Sequence, residues 1–188
     1  MITNQQYRAP GRVSGYLFRL MAGRTESTYA GRLLGPAVNL LPEDNETLAE
    51  VVPVEWLNTT CTLYRREALP SPPFPKHFQG YSLMEDVTLS ATVAQNWLLA
   101  NARTARIYHD SQPGEHKADA RAIAEMQLVN RHYVMTKVLG RNSCSDYMKL
   151  AVFELFSLAS GLRSQAGRKA LPLALRGRVG ALRRMRSC

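Results

Sequence analysis

Cysteine is scarce here, with three in 188 residues: Cys61, Cys144 and Cys188. Their spacing is wide, their number odd, and no CxxC pair occurs. That excludes a disulfide framework and a readable zinc site, and it suits a reducing compartment. Acidic residues are also few, with 15 Asp and Glu against 24 Lys and Arg and a net charge of +9. None occurs from Gly161 to Cys188, where every charged residue is Arg or Lys. No Gly-rich phosphate loop is present. No apolar run reaches the roughly 20 residues needed to cross a bilayer. The most apolar stretch, Tyr147 to Ala159, is broken by Lys149 and Glu154. The first residues, Met1 to Gln6, begin no apolar signal core. Repeats and low-complexity tracts are absent. What is present is ordinary for a globular protein, 45% hydrophobic and 21% charged residues, enough for one domain with a core.

Periodicity predicts a short amphipathic helix over residues 12–22, with Arg12 and Arg19 on its wetter face. Residues 23–31 read as a loop. Residues 32–41 read as an extended segment interrupted by Gly35-Pro36, followed by a solvated acidic loop over 42–46. Val51 to Leu57 is β-rich, with Pro53 marking a strand start or edge. Cys61 to Tyr64 reads as a short strand, and Arg65 to Leu69 as a helical turn that Pro70 stops. The proline-rich segment 70–75 cannot continue a helix or a central strand. Asp86 to Ala102 reads as one helix, with Val87, Leu89, Val93, Trp97 and Leu98 on its buried face. Ala105 to Tyr108 is expected as a strand. Lys117 to Val138 and Asp146 to Leu162 are expected as helices.

The most informative segment is Tyr81-Ser82-Leu83-Met84-Glu85-Asp86-Val87-Thr88-Leu89-Ser90. It sets two adjacent carboxylates at the start of an apolar, helix-like run. Two readings fit: the acids cap the helix, whose free N–H groups favour negative charge, or they carry chemistry. Val54-Glu55-Trp56-Leu57-Asn58-Thr59-Thr60-Cys61-Thr62-Leu63-Tyr64-Arg65-Arg66-Glu67-Ala68-Leu69 precedes it. Phe74, Phe78, Gly80 and Tyr81 form an aromatic loop between, and Ile107-Tyr108-His109-Asp110 closes the series. In order and spacing, this set resembles the C-terminal half of the catalytic domain of glycosyltransferase family 2, over roughly residues 30 to 140. Asn130-Arg131-His132-Tyr133 belongs to the same resemblance.

The resemblance implies transfer of a sugar from a nucleotide-sugar donor to a glycan or lipid-linked acceptor, as in polysaccharide biosynthesis. It makes Asp86 the base that takes the acceptor proton, held ionised by the helix start, and makes Glu85 the residue that orients the acceptor or Asp86. Trp56 either stacks on a sugar face or packs in the core. Asn58, Thr59 and Thr60 occupy a substrate-binding turn where many family members have glycine, and the Cβ of Thr59 narrows that approach. Arg65 and Arg66 either attract the diphosphate or cap the strand end. Tyr81 joins the substrate-binding set. His109 is the implied ligand of a divalent metal, Mn or Mg; a lone histidine also serves as a satisfied polar residue.

The family's donor-binding half, with its early Asp and Asp-x-Asp motif, has no counterpart here. The expectation is therefore an α/β fold, a partial nucleotide-diphospho-sugar transferase (GT-A-like) sheet with flanking helices. Residues 1–140 would form that partial catalytic domain, and 141–188 a helical C-terminal region with a basic tail. Such a chain is expected to be truncated, inactive alone, and poorly soluble unless it pairs with a donor-binding subunit or a second copy. The basic tail suits peripheral contact with the cytoplasmic face of a membrane. It also suits a solvated end, a noncatalytic partner of a separate transferase, or a nucleic-acid binder. No helix-turn-helix, zinc finger or aromatic RNA-binding motif accompanies the last.

Overall fold

A computed structural model describes residues 12–23, 30–42, 46–78, 81–105 and 119–186. The fold is mixed α/β, with helices dominating two small antiparallel sheets. Helix α1 spans Arg12–Ala22, as its periodicity predicts. Strands β1 (Leu33–Leu34) and β2 (Val38–Asn39) form a hairpin whose turn is Gly35-Pro36-Ala37. Gly35 has φ +44°, and a Cβ there would run into the Met21 carbonyl of α1. Only glycine allows that close approach. Two buried or half-buried guanidiniums clamp the turn. Arg131 donates from Nη1 to the Ala37 carbonyl at 2.7 Å, and Arg141 from Nη1 to the Gly35 carbonyl at 2.6 Å.

Strand β3 (Val51–Val54) pairs antiparallel with β4 (Leu99–Ala102), so that Val54 faces Leu99 and Pro53 faces Ala100. A two-stranded ribbon has only edges, which is where a proline without its N–H is tolerated. Among the described residues no strand pairs in parallel. Helix α2 spans Glu85–Val93 and ends there. The single helix expected over 86–102 is thus replaced by a short helix, a turn and β4. Trp97 and Leu98, expected on its buried face, are exposed at 40% and 80%. Pairing with β3 and burial of Leu99 override the helix preference of Leu-Leu-Ala.

The strand expected at Cys61–Tyr64 is also replaced. A 3₁₀ turn covers Thr59–Cys61, with the Asn58 side chain accepting from the Thr60 N–H at 2.9 Å. Thr62 Oγ1 donates to the Asn58 carbonyl. Such local side-chain bonds compete with a ladder. A second 3₁₀ turn at Arg66–Ala68 matches the short turn expected before Pro70. Of the strand expected at 105–108, residues 106–108 lie outside the described residues.

Helix α3 (Ala120–Tyr133) starts at Asp119, whose carboxylate accepts from the N–H groups of Arg121 and Ala122. It runs into one π-turn at Val134–Val138. Helix α4 (Cys144–Gly161) opens with a Ser143–Asp146 capping box, and α5 covers Gln165–Arg186. Helix α5 lies against α3, where Gly177 faces the Arg121 carbonyl and Ala124. The core is divided. Leu33, Ala37, Trp56, Val87 and Val134 make one cluster. Val54, Leu89, Val93 and Leu99 join the β3–β4 ribbon to α2, and Leu128, Met135, Leu150 and Ala181 join α3, α4 and α5. Among the described residues no helix is long and apolar enough to cross a membrane.

Candidate functional site

The carboxylates marked by the sequence sit where loop 81–84 enters α2. Ser82 and Met84 have φ of 50° and 78°, a conformation that costs a non-glycine residue about 1–3 kcal/mol. Met84 takes the cap position and offers no side-chain acceptor. The turn is held from α3. Buried Asn130 donates from Nδ2 to the Leu83 carbonyl at 2.7 Å, while its Oδ1 lies 3.1 Å from His77 Nε2. His77 stacks on Tyr133 with ring centroids 4.2 Å apart, and Phe78 meets both rings edge-on. The stretch Asn130 to Tyr133 therefore has a structural role. Asn130 and Tyr133 fix the loop ahead of the acids, and Arg131 fixes the β1–β2 turn. Arg131 also lies over the Phe153 ring at 4.1 Å, and burial pulls its pKa down to about 10.

Glu85 and Asp86 occupy the first turn of α2, and Asp86 Oδ1 accepts from the Val87 N–H at 2.7 Å. The helix start is not the strongest influence on Asp86. Burial raises its pKa, against the pull of the backbone N–H groups of Val87 and of Asp86 itself. Burial also raises the pKa of Glu85, and the neighbouring Asp86 charge adds to it. Asp146 shows what a capping acid does in this chain. It is bound by the Ser143 hydroxyl and backbone, and its pKa is lowered. Capping alone does not describe Asp86.

Tyr64 completes the neighbourhood. Burial raises its pKa and the charge of Asp86 adds to the effect, while its hydroxyl lies 3.3 Å from Ser90 Oγ. Ser90 Oγ accepts from the Leu57 N–H at 2.9 Å and donates to the Leu57 carbonyl at 3.2 Å. This ties the segment after Trp56 to α2, one turn beyond Asp86. Tyr64, Ser90 and Asn130 have no role in the sequence reading. Asn130 alone leaves a signal: an amide four residues after Met126 and four before Val134, in an apolar row.

Trp56 is a core residue, and sugar stacking is corrected for it. It is 3% exposed, packs against Leu33 and Val87, and donates its indole N–H to the Leu40 carbonyl at 2.7 Å. A stacking platform needs a free face. Trp56 nevertheless contributes to the lining of an open groove of about 610 Å³, which runs between residues 56–63, β4 and Leu41–Pro42. Asn58 and Thr60 line this groove together with Cys61 and Leu63; Thr59, Arg65, Arg66, Tyr81, Glu85 and Asp86 do not. Leu63 is 99% exposed. Arg65 and Arg66 are exposed beside the second 3₁₀ turn, and Tyr81 is exposed before α2.

His109 lies outside the described residues. No group of three or more His, Cys, Asp and Glu gathers among the described residues. Compared with protein-family models, curated proteins and solved structures, the chain gives no match.

Proposed function

We propose that the chain carries the acceptor-side machinery of a family 2-like glycosyltransferase, with Asp86 as its base. One observation carries the reading. A turn with two positive-φ residues, pinned by Asn130, presents a carboxylate whose pKa burial has raised. Backbone strain and a perturbed carboxylate together are typical of a chemical site. A raised pKa brings the base closer to the pH at which it works. In the proposed step, ionised Asp86 removes the proton from an acceptor hydroxyl. The acceptor oxygen bonds to the anomeric carbon, and the bond from that carbon to the diphosphate oxygen breaks. The nucleoside diphosphate leaves with the electron pair. Glu85 orients the acceptor, and the groove beside Asn58 and Thr60 receives part of the glycan or lipid-linked acceptor.

The test is calorimetry of the full chain with uridine, guanosine and thymidine diphosphate sugars, followed by transfer assays on glycan and lipid-linked acceptors. Both are run with manganese or magnesium present. A donor that Asp86→Asn still binds but no longer transfers supports Asp86 as the base and shows that this chain also holds the donor. Transfer that survives Asp86→Asn overturns the assignment of the base. Absence of donor binding and transfer leaves this chain the role of noncatalytic partner to a donor-binding subunit.

A further inference from the structure

We propose that the outer face of α5 is a docking surface for an anionic lipid bilayer, with the helix lying flat on it. The face turned away from α3 carries two neighbouring rows. Leu175, Val179 and Leu182 form one, at 45%, 49% and 52% exposure. Exposed Lys169, Arg176 and Arg183 form the other, spaced seven residues apart. On a helix these spacings set each row along the axis, with the rows side by side. The opposite face, with Gly177 and Ala181, is given to α3. Helix α4, joined to α5 by the short turn 162–164, exposes Met148 and Leu155, and Leu162 in the turn is exposed as well.

The combination selects the occupant. A nucleic acid rewards the cations but not the leucines. A solvated face has no use for three aligned apolar side chains. A bilayer interface rewards both, since apolar side chains enter the acyl boundary while Lys and Arg reach lipid phosphates. No acid between Gly161 and Cys188 opposes an anionic leaflet. This surface is independent of the chemistry at Asp86.

The experiment is sedimentation of the full chain with vesicles of phosphatidylcholine, alone or mixed about three to one with phosphatidylserine. Binding is expected only with the mixed vesicles. K169Q/R176Q is expected to lose roughly thirty-fold in affinity, and L175N/L182N at least roughly tenfold. All four side chains are exposed, so thermal melts of both variants should match the wild type. Raising the salt should release the wild type, a reading that needs no variant. Equal binding to both vesicle types, or binding to neither, overturns the proposal. So does vesicle binding that L175N/L182N leaves intact. Binding of a short RNA duplex, or self-association through this face, with no vesicle binding, overturns it as well.

Discussion

Asp86 and Asp146 each sit in the first turn of a helix, and burial separates their chemistry. Asp86 holds its proton more tightly in the folded chain than its ordinary value of 3.8 allows. The unfolded chain binds fewer protons across the window between that value and the folded one. Stability therefore falls as pH rises through the window, and the deficit is complete above the folded value. Asp86→Asn removes the ionised form, while its amide oxygen can still accept from the Val87 N–H. Its melting midpoint is expected to exceed the wild type's at neutral pH, with the gap closing on acidification through the window. A lower midpoint at neutral pH sinks the account of Asp86. At Asn130, substitution by alanine leaves the Leu83 carbonyl and His77 without their partner. The expected loss in denaturant titration is about 1–3 kcal/mol. Hydrogen exchange at the Glu85 and Val87 amides should rise at the same time. Unchanged exchange there would show that Asn130 supports the core without holding the turn.

Close approach of helices is decided by small residues, and Gly177 is where α5 meets α3. A side chain there runs into the Arg121 carbonyl and Ala124. Gly177→Val is therefore expected to destabilise by about 2 kcal/mol, read as a lower urea midpoint. An unchanged midpoint would mean that α5 can lift without cost. Helix 12–22 is legible from its apolar period of about 3.6 residues, and 120–133 from its strong helix formers, Ala, Glu, Met, Gln and Leu. Strand β4 is not, because Leu99-Ala100-Asn101-Ala102 has no strand signal apart from its partner Val51–Val54. The 3₁₀ turn at Thr59–Cys61 is hidden for a different reason. Threonine and cysteine suit a strand, but the Asn58 side chain captures the backbone first.

At the scale of the molecule, stability is spread over separate clusters instead of one core. Helix α5 closes the cluster of α3 and α4 through Ala181. It also brings Arg178, whose Nε donates to Glu154 at 2.6 Å with both side chains near 12% and 13% exposed. Stripping a buried carboxylate of its partner costs about 3–5 kcal/mol, against a total of about 5–15 kcal/mol for a domain. A chain ending at Leu162 is therefore expected to lose its cooperative thermal transition in calorimetry. A sharp transition near the wild-type midpoint would show α5 to be an appendage.

The sequence by itself determined the charge asymmetry, the helical periods, the proline-rich break and the placement of Glu85-Asp86 at a helix start. These are local properties, set by neighbours within a few turns. It left two roles open for Trp56 and for the acids, because both depend on what lies across the core. The tertiary structure shows what surrounds each of them. Residues 33, 87 and 134 enclose the indole, and burial at the α2 entrance raises the carboxyl pKa values that a helix start alone would lower. Asn130, 44 residues beyond Asp86 in the numbering, holds the turn that presents them. No local pattern encodes that contact, since the hydrogen bond exists only once α3 has packed against loop 81–84.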